Sequence, residues 1–117
     1  MVTKAGTIIL EPEWAQTLLV LDRRSKLWGF PKGEIESSET EYEAAIRETY
    51  EETGIQLRPD LLGPRWRCGN VSLYHVALSQ DTEVVSIDTN EIEDVQWVKI
   101  SDLHLIPTSS LVKLYFV

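Results

Sequence analysis

The chain has 117 residues, 43% of them hydrophobic and 26% charged, with a net charge of −8 and a single cysteine, Cys68. That length and balance suit one globular domain over residues 1–117 with its own hydrophobic core, and a lone cysteine excludes an internal disulfide framework or a cysteine-based metal site. The N-terminus MVTKAGTIIL lacks a signal-peptide pattern and no apolar run reaches the roughly 18 residues that span a bilayer, so the expected location is cytoplasmic, with no membrane partner and with the sequon Asn70-Val71-Ser72 idle.

Along the chain there is no internal repeat, low-complexity tract or linker. Thr7–Leu10 and Thr17–Leu21 are apolar runs of strand length on either side of a Glu-Pro-Glu connection. Arg23, Arg24 and Lys26 follow as a basic cluster, suited to holding polyphosphate or to a solvated hairpin tip. Trp28-Gly29-Phe30-Pro31-Lys32-Gly33 reads as a loop. From Thr40 the period becomes helical: Thr40-x-x-Glu43 is a capping-box signature, and Gly54 is placed to end the helix in a left-handed conformation. Val71–Leu78 and Val95–Val98 read as further strands, Thr82–Asp88 as a weaker one, and Ser101–Leu103 as a short helical turn. Ser109–Val117 suits helix and strand equally. Strands, one strong helix and more strands point to an α/β or α+β fold, a sheet covered by helices.

The acidity is local. Residues 34–52 hold eight acids and one base, Arg47, a net of −7, which leaves −1 for the rest of a chain whose total is −8. Glu48, Glu51 and Glu52 lie in one predicted helix; at about 100° per residue, Glu51 falls near −60° and Glu52 near +40° of Glu48, so all three share a face. Tyr42, Ile46, Thr49 and Thr53 fall on the side expected to meet the core. Like charges at these spacings repel by a few tenths of a kcal/mol per pair. The ordinary explanation of a bare E-x-x-E-E is a solvated acidic face.

The surrounding residues change that reading. Gly33, Glu39, Arg47, Glu48, Glu51, Glu52, Gly54 and Ile55 fit G-x5-E-x7-R-E-U-x-E-E-x-G-U, where U is bulky and apolar. This is the Nudix box, over 23 residues, and the chain resembles a Nudix hydrolase; the likeness extends to the strand pair before the box and to Asn90–Val98 after it. One departure is Thr49, where the pattern asks for an aliphatic side chain. The resemblance implies the Nudix fold, a central mixed β-sheet sandwiched between helices with a strand-loop-helix catalytic motif. It also implies a pyrophosphohydrolase acting on a diphosphate linkage in a nucleoside diphosphate derivative. Hard divalent cations prefer oxygen ligands, and the family's pattern assigns metal binding to Glu48, Glu51 and Glu52 with the backbone carbonyl of Gly33. The cofactor implied is Mg²⁺, with Mn²⁺ as a substitute. Arg47 is expected to brace the glutamates, Glu39 to brace the loop or act from the outer shell, and Lys32 to face the phosphates. Glu41, on the same acidic face, is expected to be solvated.

For the catalytic base, the candidates are the box glutamates Glu48 and Glu51 and, as in many relatives, a glutamate on a later loop, for which Glu91 is the best match and Glu93 the reserve. Arg23 and Arg24 are carried with Lys32 as substrate-binding candidates. Arg65 and Arg67 flank Trp66, a combination able to stack a base and bind phosphate, with packing as the alternative. Trp28 and Trp97 read as core, His75 as a satisfied structural histidine, and His104 has no partner spacing.

The Trp28–Gly33 loop is similar to that of diadenosine polyphosphate hydrolases and to that of the catalytic domain of the mRNA decapping enzyme. The chain shows neither a helical domain before the box domain nor a basic extension after it, and long RNA needs clustered Lys/Arg for phosphate contacts. The expected substrate is therefore a small nucleotide, dinucleoside polyphosphates first, with RNA 5′ ends or caps and nucleoside triphosphates as alternatives. A catalytically silent nucleotide-binding module is the reading from another class. Partners are limited to the nucleotide itself, with a monomer or homodimer as the assembly.

Overall fold

A computed structural model describes residues 1–13 and 15–117. Its centre is a seven-stranded mixed sheet built on two apolar strands, β1 (Lys4–Leu10) and β2 (Gln16–Asp22). Both are buried on both faces along most of their length, which is why they read as continuous apolar runs and not as alternating ones. β1 and β2 pair only at Leu10↔Thr17 and then diverge. The Trp28–Gly33 segment fills the wedge: β3 (Trp28–Gly29) pairs with β2, and β4 (Lys32–Glu34) pairs with β1. What reads as a loop in sequence is thus two short strands joined by the buried Phe30-Pro31. Gly6 permits this, because a side chain there would collide with the Pro31 carbonyl and Lys32.

On the far edge of β1, β6 (Val71–Ala77) runs parallel to it and forms a hairpin with β5 (Arg65–Cys68). β7 (Ile92–Lys99) covers the outer edge of β2. The charge-apolar alternation of Arg65-Trp66-Arg67 is the period-2 signal for β5. That alternation also separates the three side chains. Arg65 pairs with Glu41 at 2.8 Å, while Trp66 packs edge-on against Tyr115, so no base-stacking platform with flanking guanidiniums forms.

Helix α1 (Glu41–Thr53) lies over one face of the sheet, against β1, β4 and β6. A 3₁₀ turn (Ile100–Leu105) and α2 (Ser110–Tyr115) cover the other, where Ile8, Leu10, Leu19, Phe30, Leu73 and Val112 form a core. The tail is therefore helical. α1 starts with both halves of the Thr40–Glu43 capping box and ends on Gly54 at φ 77°. Ala44 and Ala45 let it sit close on Ala5, and the Thr49 hydroxyl meets the Thr7 hydroxyl at 2.7 Å inside the core. A polar residue in place of the pattern's aliphatic one is thus matched by a polar partner on the strand beneath.

Three expectations are corrected. Tyr42 is exposed, because the buried arc centres on Ala44, Ala45, Glu48, Thr49, Glu52 and Thr53. Glu41 is ion-paired with Arg65 and not simply solvated. Residues 82–88 form no strand: the N–H groups of Val85, Ile87 and Asp88 instead donate to the Thr53 and Glu51 carbonyls, which the end of a helix leaves without partners. His75 is structural as expected, held by the Pro64 carbonyl at 2.6 Å and the Tyr115 hydroxyl at 2.7 Å. Among the described residues no helix is long and apolar enough to cross a membrane.

Candidate active site

β4 enters α1's territory at Gly33, and here the absence of a side chain matters. A methyl group on Gly33 would overlap the Glu48 carboxylate, so glycine is what allows the acid to lie against the strand backbone. One turn on, Glu52 accepts a hydrogen bond from the Lys32 N–H at 3.2 Å. Glu48 is 9% exposed and Glu52 5%, so the two acids are buried between helix and strand and not displayed on a solvated face. Glu51, farther round the helix, keeps a side chain 37% exposed.

Arg47 organises the exposed side of this group. Its Nε and Nη2 grip the Glu39 carboxylate at 2.7 and 2.9 Å, its Nη1 donates to Glu48 at 2.7 Å and to Glu51 at 3.2 Å, and Nη2 also reaches the Glu34 carbonyl at 2.9 Å. The guanidinium hydrogen bonds hold the Glu39 carboxyl below its ordinary pKa, and Glu39 in turn is the main reason that the Arg47 pKa is raised. Glu39 thus acts on the loop side through Arg47.

Glu48 and Glu52 are different. Burial raises the Glu48 carboxyl, with Arg47 opposing. Burial pushes Glu52 up to about 8, the Lys32 N–H opposing and the charges of Glu48 and Glu91 adding to the rise. A buried carboxylate with so little compensation is costly in its charged form.

These groups open onto a cleft of about 700 Å³ whose walls include Gly33, Glu48, Glu52 and Glu91, with Lys4, Arg24 and Lys32 as counter-charges. The predicted residues are therefore brought together except for three. Glu51 and Glu39 lie outside the cleft lining, each bonded to Arg47. Arg23 is turned away, its Nε donating to the Thr89 carbonyl at 3.0 Å, and it lines a neighbouring hollow of about 460 Å³ with Asn90 and Glu91. Among the described residues no three acidic, histidine or cysteine side chains are arranged to hold a metal ion, and Glu48 and Glu51 both bond to Arg47.

Between Glu91 and Glu93 the strand pairing discriminates. Leu21 pairs with Asp94 and Asp22 with Ile92, which leaves Glu93 as the extra residue of a bulge. Its carboxylate is ion-paired with Lys26, which holds its pKa low, and it does not reach the cleft. Glu91 does.

The NUDIX domain family model matches residues 2–115. The chain belongs to the Nudix hydrolase family. It is 37% identical over 105 residues to the mRNA decapping complex subunit 2 of Schizosaccharomyces pombe, covering 84% of this chain and 14% of that protein. It is also 37% identical over 114 residues to the m7GpppN-mRNA hydrolase dcap-2 of Caenorhabditis elegans, covering 91% of this chain and 14% of the relative. The chain thus spans about one seventh of the length of these curated relatives. Among solved structures, the Caenorhabditis elegans Ap4A hydrolase binary complex superposes with a TM-score of 0.73 at 22% identity, covering 99% of this chain and 93% of the other. The Escherichia coli dihydroneopterin triphosphate pyrophosphohydrolase gives 0.73 at 17%, covering 99% and 95%. At these identities the two structures establish the shared fold.

The cleft of this Nudix hydrolase also contains residues that no motif announces. Lys4 comes from the start of β1, Asp22 and Leu27 from the β2–β3 hairpin, and Ser109 from the entry to α2. Ser109 arrives there because residues 107–109 hydrogen-bond to β3, through Trp28 N–H to the Pro107 carbonyl and Ser109 N–H to the Trp28 carbonyl. Its hydroxyl is buried and has no hydrogen-bond partner among the described residues. Local sequence carries no signal for contacts made across 80 residues.

Proposed function

We propose that the cleft hydrolyses a polyphosphate bridge joining two nucleosides, of the kind present at a capped RNA 5′ end, with the help of a divalent cation. The observation that carries this reading is the mixed lining of one cleft: the buried, under-compensated carboxylates Glu48 and Glu52 together with the basic Lys4, Arg24 and Lys32. Bases suit the phosphates, and a cation suits the acids.

Two features of the acids fit a hard cation. Among the described residues the buried Glu52 carboxylate has one hydrogen bond, from the Lys32 N–H, and Gly33 lets the Glu48 carboxylate lie directly against its backbone, where a Cβ would displace it. Glu48, Glu51 and Glu52 with the Gly33 carbonyl are the residues that would hold Mg²⁺, or Mn²⁺ in its place. When bound, the ion supplies positive charge that offsets the phosphate charge and acidifies water. Lys32 and Arg24 hold the phosphates. Glu91, in the same cleft and free of the Lys26 pair that occupies Glu93, takes the proton as the water oxygen bonds to phosphorus and the bridging P–O bond breaks. Arg47 keeps Glu48 and Glu51 oriented, and Glu39 keeps Arg47 in place.

The ranking of the capped RNA end ahead of the free dinucleoside polyphosphate is supported by identity of 32–37% to relatives named for mRNA decapping. The latter stays as the second reading, because only 11 Lys and Arg are present and five of them, Lys26, Arg47, Arg58, Arg65 and Arg23, are engaged within the protein. Both substrates share the bridged polyphosphate. A silent module gains nothing from keeping repelling acids buried. Incubation with Mg²⁺ and m7GpppG-capped RNA, diadenosine tetraphosphate and nucleoside triphosphates tests the reading. Fastest release from capped RNA is expected; fastest turnover of diadenosine tetraphosphate selects the second reading, and no hydrolysis of any of them defeats both.

A further inference from the structure

The basic hairpin tip that the sequence offers as a polyphosphate site does something else with its first arginine. Arg23 makes two adjacent bonds to the turn that carries Glu91: its backbone N–H donates to the Glu91 carbonyl at 2.8 Å, and its Nε donates to the Thr89 carbonyl at 3.0 Å. The two contacts bracket Asn90, so one residue grips the turn on both sides of its tip. The tip that presents Arg23 is itself fixed. Asp22 accepts from the Ser25 N–H at 2.6 Å, and Lys26, at φ 61°, donates its N–H to the Asp22 carbonyl at 2.8 Å while its ammonium pairs with Glu93. Past the bulge at Glu93, β2–β7 pairing resumes at Asp22↔Ile92 and ends there, one residue short of Glu91. The turn closes on itself through the Ile92 N–H to the Asp88 carbonyl at 3.0 Å and the Glu91 N–H to Asp88 Oδ1 at 3.3 Å, and the hairpin adds the two Arg23 bonds. On its other side the same segment is tied to α1, where the Ile87 and Asp88 N–H groups donate to the Glu51 carbonyl at 2.9 and 2.8 Å.

We infer that Arg23 is a positioning residue: it holds the turn of residues 88–91 between the hairpin and α1 so that the Glu91 carboxylate faces Glu48 and Glu52 across the cleft. This rests on the reading of Glu91 as the base. A guanidinium suits the task, since it is charged at every working pH and its hydrogen bonds to carbonyls are stronger than neutral ones. Arg24, one residue on, lines the cleft instead. The cluster thus divides its work, with one arginine on the protein and one toward the phosphates.

The test uses capped RNA and diadenosine tetraphosphate with Mg²⁺, following whichever the parent turns over faster. Misplacing a reacting group by a fraction of an ångström costs rate and not binding, so Arg23→Ala is expected to lower kcat about tenfold with KM within about twofold. Arg23→Lys, which still places one charged donor near the Thr89 carbonyl, should recover to within about threefold of the parent. In a Glu91→Gln background Arg23→Ala should add less than about twofold, because its effect runs through a carboxylate already removed. Independently of activity, hydrogen exchange in the peptide spanning residues 87–92 should quicken in Arg23→Ala while β1 and β6 stay protected. A KM increase at unchanged kcat, a loss that multiplies with Glu91→Gln, or unchanged exchange in residues 87–92 would overturn the inference while leaving Glu91 as the base. Full turnover by Glu91→Gln would remove the base assignment itself and this inference with it.

Discussion

The two halves of α1 use the same residue type to opposite effect. In the N-terminal half Glu43 completes the capping box and Glu41 pairs with Arg65, and acids near a helix N-terminus are favoured by the helix dipole. In the C-terminal half Glu48 and Glu52 are buried, Glu51 shares Arg47 with Glu48, and the last turn holds no basic residue. There the dipole opposes negative charge as well. The first half is arranged for stability. The second half accepts electrostatic cost, and in the proposed function that cost falls on the part of the helix that would hold the cation.

The sharpest way to break this contrast is to neutralise one acid from each half. Glu48→Gln or Glu52→Gln should each lower kcat by on the order of 10²-fold or more, since metal-assisted hydrolysis depends on them. Glu41→Gln should stay within about threefold, although it breaks an ion pair. Similar activities in all three variants would mean that the two halves do not differ in function.

A second contrast lies beneath the helix. Thr49→Val keeps the shape but leaves the Thr7 hydroxyl buried without its partner, so a loss of about 1–3 kcal/mol is expected in denaturant unfolding. Thr7→Val with Thr49→Val should restore most of it, because both polar groups are then gone. A double variant as unstable as the single one would show that packing, and not the hydroxyl pair, sets the position of α1.

A smaller effect follows from pH. The folded Glu52 carboxyl sits at about 8 against an ordinary 4.5, so its contribution is fully present below the unfolded value and is lost as pH rises through the folded one. In EDTA the parent's melting temperature should therefore fall between about pH 5 and pH 9. Glu52→Gln should flatten much of that slope; Glu48, raised in the same direction, accounts for the remainder. A parent that becomes more stable over this window would contradict the assigned burial of both acids.

Much of this was legible in the sequence. The spacing from Gly33 to Ile55 gave the helix, both of its caps and the group of acids, because those features are local and each has a mechanism tied to residue type. The buried arc of α1 was misjudged at Tyr42 because a helical wheel tells which residues share a side, not what lies above them. Here β4 covers the acidic side, and the small Ala44 and Ala45 mark the close approach to the sheet. The 82–88 segment forms no strand, and the Arg23 bond to the Thr89 carbonyl goes unannounced, for a related reason. Their hydrogen bonds go to residues dozens of positions away, and neither apolar period nor charge clustering reports a carbonyl waiting at a helix end or a bulge.

The central claim, that the C-terminal half of α1 is built around a divalent cation, is tested most directly by melting the parent and Glu52→Gln in EDTA, in Na⁺ and in Mg²⁺ at matched ionic strength. About 10 mM Mg²⁺ against a Kd of roughly 1 mM stabilises the native state by about 1.4 kcal/mol. For a chain of this length that is a rise of about 6 °C over Na⁺. Glu52→Gln should melt above the parent in EDTA and gain less from Mg²⁺. Identical responses to Mg²⁺ and Na⁺ in both proteins, as screening of solvated charges alone would give, would contradict the claim.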